Sequence, residues 1–197
     1  MNNNNKIGFI GAGIMGQGMV QNLLKAGCEV SIIANRNRRP IEELVAFGAN
    51  EVASLADMAS CCNSFILCLP NSQTAMSVCV VLFPLLLPET IIIDCTTNEL
   101  VTVKELAKKA RVAKLRYVEA PLTGGQQQSK EAMLGAIVGC DADDFAMVSN
   151  ILGPCCAQIE RLGELGMGAT TKLISNFLAL GTATLVVEAM KAANNLG

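Results

Sequence analysis

Four groups of residues in this 197-residue chain have types and spacings that can do chemistry. The first is Gly11-Ala12-Gly13-Ile14-Met15-Gly16, a G-x-G-x-x-G spacing. It follows the apolar run Lys6–Ile10 directly and opens a segment of helical periodicity. In that setting the first glycine permits a tight turn and the second lets the backbone approach a pyrophosphate. The third lets helix and strand pack closely. The N–H groups at the helix start, at its positive dipole end, attract phosphate. A plain glycine turn is the bland alternative, and the strand-turn-helix context favours dinucleotide binding.

The second group ends the next apolar run, where an acid would bond the 2′-hydroxyl of an adenosine ribose. Here the chain reads Asn35-Arg36-Asn37-Arg38-Arg39, with no acid between Val30 and Pro40. A guanidinium complements a 2′-phosphate where an acid repels it. NADP is therefore expected rather than NAD, with Arg36 as the contact. Arg38 and Arg39 also fit a solvated basic loop.

The third group is Lys172 and Asn176, four residues apart and so on one helix face. A lysine among apolar neighbours loses hydration, which lowers its pKa towards the range useful for proton transfer. Asn176 would orient it or bond a substrate oxygen. A lysine that snorkels to water explains Lys172 equally well. The fourth group is Thr123-Gly124-Gly125, after a short apolar run. Its hydroxyl and bare N–H groups suit a carboxylate, although an ordinary turn has the same composition.

Other chemistries are excluded. There is no His and no Trp, so no His ligand, His base or Ser–His pair exists. A net charge of -2 gives no footprint for nucleic acid. The 9 Cys are odd in number and lack any C-x-x-C pair. They read as free thiols in a reducing compartment, with no metal site and no disulfide framework. The opening Asn run has no apolar h-region, so no signal peptide is expected. Val78–Leu87 is the longest greasy stretch, broken by Pro84 and too short to span a bilayer. The expectation is a cytoplasmic protein with no membrane partner.

The positioning elements follow from periodicity. Lys6–Ile10, Val30–Ala34, Phe65–Leu69, Thr90–Asp94, Tyr117–Glu119, Ala136–Val138 and Ile159–Arg161 read as short strands. Helical spacing covers Met15–Ala26, Ile41–Phe47, Asp57–Cys62, Glu99–Ala110 and a segment capped by Asp141 that runs to about Leu152. Gly27 and Gly48 stand where helix stops belong. Strands alternating with helices predict an α/β fold, a doubly wound, mostly parallel sheet of Rossmann type. After Gly168 the character changes, with no charged residue from Leu173 to Val187. A helix apolar all round is a buried one, so this one is expected to pack against a second chain or a further domain. Residues 1–163 read as an NADP-binding domain and 164–197 as the first long helix of an all-α domain.

Together these stretches resemble the β-hydroxyacid dehydrogenase family, which includes 3-hydroxyisobutyrate dehydrogenases, over Lys6 to Gly197. Gly8 to Gly16, continuing through Asn22-Leu23-Leu24-Lys25-Ala26-Gly27, resembles the family's N-terminal signature. Leu69-Pro70 and Asp94-Cys95-Thr96-Thr97 resemble its cofactor-side loops. By that resemblance Leu69, Pro70, Thr74 and Thr97 line the nicotinamide half of the site. Glu119 to Gly125 resembles the substrate loop, with Thr123 where Ser is usual, and gives Thr123, Gly124 and Gly125 the substrate carboxylate. Gly166 to Asn176 resembles the catalytic motif and makes Lys172 the general acid/base and Asn176 its partner. Asn35-Arg36 resembles the NADP-using branch. Gln126-Gln127-Gln128 departs from the small residues usual there, and the family's chain continues into a helical domain that closes the site and dimerises the enzyme.

The resemblance implies hydride transfer between a nicotinamide and a small 3-hydroxy acid, or the matching aldehyde or keto acid. It also implies a homo-oligomer formed through the terminal helix. Two alternatives remain open. One is an imine reductase-like enzyme, a group that usually carries Asp or Tyr where Lys172 stands. The other is a non-catalytic NADP-binding or interaction module.

Overall fold

The computed structural model describes residues 6–35 and 37–196. Apolar runs bounded by turns form a nine-stranded sheet. Its strands are β1 (Lys6–Ile10), β2 (Glu29–Ile33), β3 (Asn50–Val52), β4 (Ser64–Leu67), β5 (Ile91–Asp94), β6 (Arg116–Glu119), β7 (Leu122–Thr123), β8 (Leu134–Gly139) and β9 (Cys156–Gly163). The spatial order is β3-β2-β1-β4-β5-β6-β8-β7, with β9 also paired to β8. From β3 to β6 every pairing is parallel. β8 runs antiparallel to β6 and β7 and parallel to β9. The reading of a doubly wound, mostly parallel sheet is borne out.

The strands are buried on both faces because helices cover both. α1 (Ile14–Lys25), α2 (Arg39–Ala46) and α7 (Ala142–Leu152) pack on one side, meeting Ile7, Phe9, Ile66, Ile93 and Val118. α3 (Leu55–Cys61), α4 (Ser72–Leu82), α5 (Leu100–Val112) and the start of α8 (Met167–Leu196) pack on the other, meeting Phe65, Leu67, Ile92 and Tyr117. Successive residues of β4 and β5 alternate between the two cores, as a period of two demands. Each fully buried Ile, Leu or Phe contributes about 1.5–3 kcal/mol, so the sheet centre is the stable frame.

Local signals account for most boundaries. Gly27 and Gly48 take φ of 84° and 113° and end α1 and α2 as the sequence suggests. Pro40 sits in the first turn of α2. Four short elements escaped the periodicity: α4, β3, β7 and α6 (Gln126–Lys130). α4 begins with polar Ser72-Gln73-Thr74 and runs into a one-turn helix at Phe83–Leu85, so its apolar pattern is blurred. Asp141 holds the N-cap position of α7, but its side chain makes no capping bond. All nine thiols are free, and six of them are buried.

One expectation for α8 needs correction. It is the longest apolar helix, 30 residues with an 18-residue stretch of mean hydropathy 1.6, long and apolar enough by those measures to cross a bilayer. The reading that gave this place to Val78–Leu87 weighed α8 only as a helix to be buried, with Lys172, Glu188 and Lys191 punctuating it. It is not buried within this chain, in keeping with the expectation of a covering surface elsewhere. Gly168 and Ala169 are its buried residues, while Phe177, Leu178, Leu180, Leu185 and Met190 stand exposed. The first turns lie against β8, β9 and α5, and the rest projects beyond the sheet.

Candidate functional site

Parallel strands place their carboxyl ends at one edge, so the turns that follow β1, β2, β4, β5 and β6 open there. The turn after β1 holds Gly11 at φ 109°, and a side chain there would also collide with the carbonyl of Cys68. Gly13 is different. It is the N-cap of α1 with extended backbone, and an added Cβ would meet nothing within 4 Å. The fold therefore does not demand glycine at Gly13, and the open space lies beside the N–H groups of the first turn of α1. Gly13 offers no capping side chain, and no acid stands in that turn. A pyrophosphate fits such a place, because it accepts from N–H groups at the positive end of the helix. Ala12 and Met15 are half-buried, Gly16 is buried against Phe9, and Ile14 is 68% exposed, an apolar surface at the mouth of the turn.

Asn35 follows β2 and is exposed, whereas Arg36 lies outside the described residues. The other two arginines are engaged. Arg38 grips Glu51 through two bonds of 2.6 and 3.2 Å, and Arg39 bonds Glu43 at 2.9 Å. Both therefore match the solvated-loop reading.

The loops after β4 and β5 are tied together. The Leu69 N–H donates to Thr96 Oγ1 at 3.1 Å, and the Glu99 N–H to Ser72 Oγ at 2.9 Å. Thr97 points to the surface, Leu69 is half-buried and Pro70 is exposed. Thr74 lies in the first turn of α4, where its N–H and hydroxyl both donate to Asn71 Oδ1 at 2.9 Å. Beneath these loops the buried carboxylate of Asp94 accepts from Thr96 N, Asn98 Nδ2 and Tyr117 OH at 2.9, 2.7 and 2.8 Å. Burial pushes its pKa up, opposed by those bonds.

The loop after β6 shows a second departure from expectation. Thr123 is half-buried, and Gly124 takes φ 103°. The Gly125 N–H is not bare, for it donates to Gln128 Oε1 at 2.9 Å. Gln128 thus reaches back to cap the start of α6 and uses the donor expected to hold a carboxylate. α6 is in turn clamped to α1, with Ser129 Oγ donating to Met15 O at 2.6 Å and Asn22 Nδ2 donating to Ser129 O at 2.8 Å.

Glu119, the last residue of β6, accepts from the N–H groups of Gly166, Gly168 and Ala169 at 2.5, 3.0 and 2.9 Å. This fixes the start of α8 at the same edge. Lys172 and Asn176 lie one and two turns further on and are both half-buried. Burial pulls the Lys172 ammonium below the ordinary lysine value. Lys172 makes no ion pair among the described residues. The sequence reading missed Asp94, Thr96 and Glu119 as organisers. Their signal was present, since a carboxylate closing a buried apolar strand must find donors. Cys68 lies beside the first turn, but burial pushes its thiol up to about 12, so it is no nucleophile.

The chain matches the family model for the NAD-binding domain of 6-phosphogluconate dehydrogenase over residues 6–163. It is 31% identical to the mitochondrial 3-hydroxyisobutyrate dehydrogenase of Drosophila melanogaster, covering 97% of this chain and 59% of that protein. It is 30% identical to the cytokine-like nuclear factor N-PAC of Xenopus tropicalis, over 98% of this chain and 36% of that protein. The fold is shared with Mycobacterium tuberculosis 3-hydroxyisobutyrate dehydrogenase at TM-score 0.91 and 24% identity, covering 98% of this chain and 66% of that one. An imine reductase from Pseudomonas sp. has it too, at TM-score 0.83 and 19% identity, over 93% and 64% of the two chains. The chain thus spans about a third to two thirds of these proteins. A G-x-G-x-x-G turn on a parallel sheet, matched from β1 to the end of β9, settles its kinship: the chain belongs to the 6-phosphogluconate dehydrogenase and β-hydroxyacid dehydrogenase family through its NAD-binding domain.

Proposed function

We propose that the chain works as an NADP-dependent oxidoreductase on a small 3-hydroxy acid or the corresponding aldehyde or keto acid. The observation that carries this reading is Lys172: half-buried, with a lowered pKa and no ion-pair partner among the described residues, on a helix whose first turn Glu119 holds at the end of β6. When bound, the nicotinamide supplies hydride transfer at its C4. Protonated Lys172 gives its proton to the alkoxide that develops on a reduced carbonyl, and neutral Lys172 takes the hydroxyl proton in oxidation. Asn176 orients that amine from the next turn. Thr123 and the Gly124 backbone hold the substrate carboxylate, with Gly125 shaping the loop. Gly11 to Gly16 cradle the pyrophosphate, Asn35 and Arg36 the 2′-phosphate, and Leu69, Pro70, Thr74 and Thr97 the nicotinamide side.

Residues 164–197 belong, in this reading, to an all-α unit, and the exposed face of α8 meets a second copy of the chain. Nine free thiols suit a reducing compartment such as the cytoplasm. Lys172 itself weighs against the imine reductase alternative. The likeness to N-PAC, whose name denotes a nuclear factor, keeps a binding module as the second reading.

The test is an NADPH titration followed by turnover with glyoxylate, succinic semialdehyde and a cyclic imine. Lys172→Ala is expected to leave NADPH binding intact and to lower turnover of the aldehyde acids by about 10²–10⁴-fold. Unchanged turnover removes Lys172 from the mechanism, and binding without turnover in the wild type favours the module. Arg36→Ala is expected to weaken NADPH far more than NADH, and equal loss for both sinks the 2′-phosphate assignment.

A further inference from the structure

Glu119 closes β6 and is 1% exposed. Its two carboxylate oxygens take the N–H groups of Gly166, Gly168 and Ala169 and nothing else among the described residues. A carboxylate at a helix N-terminus satisfies orphan donors and complements the positive end of the dipole. Here it does more than cap. Residues three and four apart share a helix face, so Lys172 stands on the face of Ala169 and Gly168, and Asn176 one turn beyond.

The helix start is held from a second side. A side chain at Gly168 would meet the Ile137 carbonyl at 2.6 Å, so the backbone of α8 presses directly on β8. One residue of rotation swings a helical side chain through about 100°. The N–H groups that Glu119 grips therefore decide which way Lys172 faces and how deep it sits. Glu119 is also the residue from which the Thr123 loop departs, so a single side chain links the substrate loop to the lysine helix.

We propose that Glu119 is a positioning residue of this site, seating the first turn of α8 so that Lys172 and Asn176 face the reacting centre. The inference rests on the function proposed above for Lys172. Glu119→Gln places an amide N–H₂ against backbone N–H donors. Glu119→Asp keeps the charge but is one methylene too short to reach all three donors.

The experiment uses the full chain and two readouts. Pulse acetylation with acetic anhydride across a pH series, read by peptide mass spectrometry, gives the midpoint at which Lys172 becomes reactive. It needs no turnover. Both variants are expected to move this midpoint up towards the ordinary lysine value, because a loosened first turn lets water reach the amine, and to speed amide exchange at residues 166–172. Where turnover is measured, kcat falls by about 10–100-fold with NADPH affinity unchanged. A merely structural role lowers the melting temperature and leaves the midpoint in the folded protein where it was. That result overturns the proposal, as does a midpoint lowered by Glu119→Gln and untouched by Glu119→Asp, which marks an effect of charge alone. Failure of the parent reading is separate, for it shows as turnover that survives Lys172→Ala.

Discussion

Two glycine-bearing turns stand at the same edge of the sheet and use their N–H groups in opposite ways. At Gly11 to Gly16 the glycines leave the first turn of α1 without a side-chain acceptor, and open space lies over Gly13. At Gly124-Gly125 the chain spends the Gly125 donor on its own Gln128 and anchors the helix that follows to α1. On composition both turns look like anion cradles. The difference teaches that a glycine pair becomes a ligand site only where the chain leaves its donors unspent, and a single glutamine three residues on decides that.

The contrast can be broken or sharpened by substitution. Gly11→Ala is expected to have the largest effect, a loss of about 3 kcal/mol or more of stability, because it combines a strained positive φ with a backbone collision. A thermal melt checks this, and a stable variant with normal NADPH affinity contradicts the geometry of the first turn. Gly13→Val is expected to leave the melt unchanged and to weaken NADPH by about tenfold or more, the worth of a charge-assisted hydrogen bond. If affinity survives, the space over Gly13 is not where the pyrophosphate sits. Gln128→Ala should matter least, costing about 0.5–1.5 kcal/mol in urea unfolding for one lost cap bond. NADPH affinity should stay unchanged. A fall in substrate KM in this variant shows that the freed Gly125 N–H takes the carboxylate, which turns the second turn into a match for the first.

Much of the local geometry of the candidate site was legible in the chain. The dinucleotide turn is local, its spacing and its strand-helix context lying within about 20 residues. The lysine helix announced itself as one charge in an apolar run. What holds that helix was hidden, because Glu119 and Gly166–Ala169 are separated by almost 50 positions and only the register of β6 brings them together. The same holds for Asp94, which gathers Thr96, Asn98 and Tyr117. Thr96 rather than Thr97 ties the two cofactor-side loops, a choice between adjacent residues that depends on which face of the loop turns inward. The clamp of α6 on α1 joins residues more than 100 positions apart, and no periodicity reports such a bond.

The sequence by itself determined the parallel sheet, the glycine-rich turn between β1 and α1 and the lysine beside an apolar run, because each arises from interactions between near neighbours: alternation, glycine geometry and local hydration. Only the tertiary structure decided which N–H groups are open and which are spent, and where the lysine helix sits. Those outcomes depend on hydrogen bonds between distant residues, made available by burial that no short stretch of chain can specify alone.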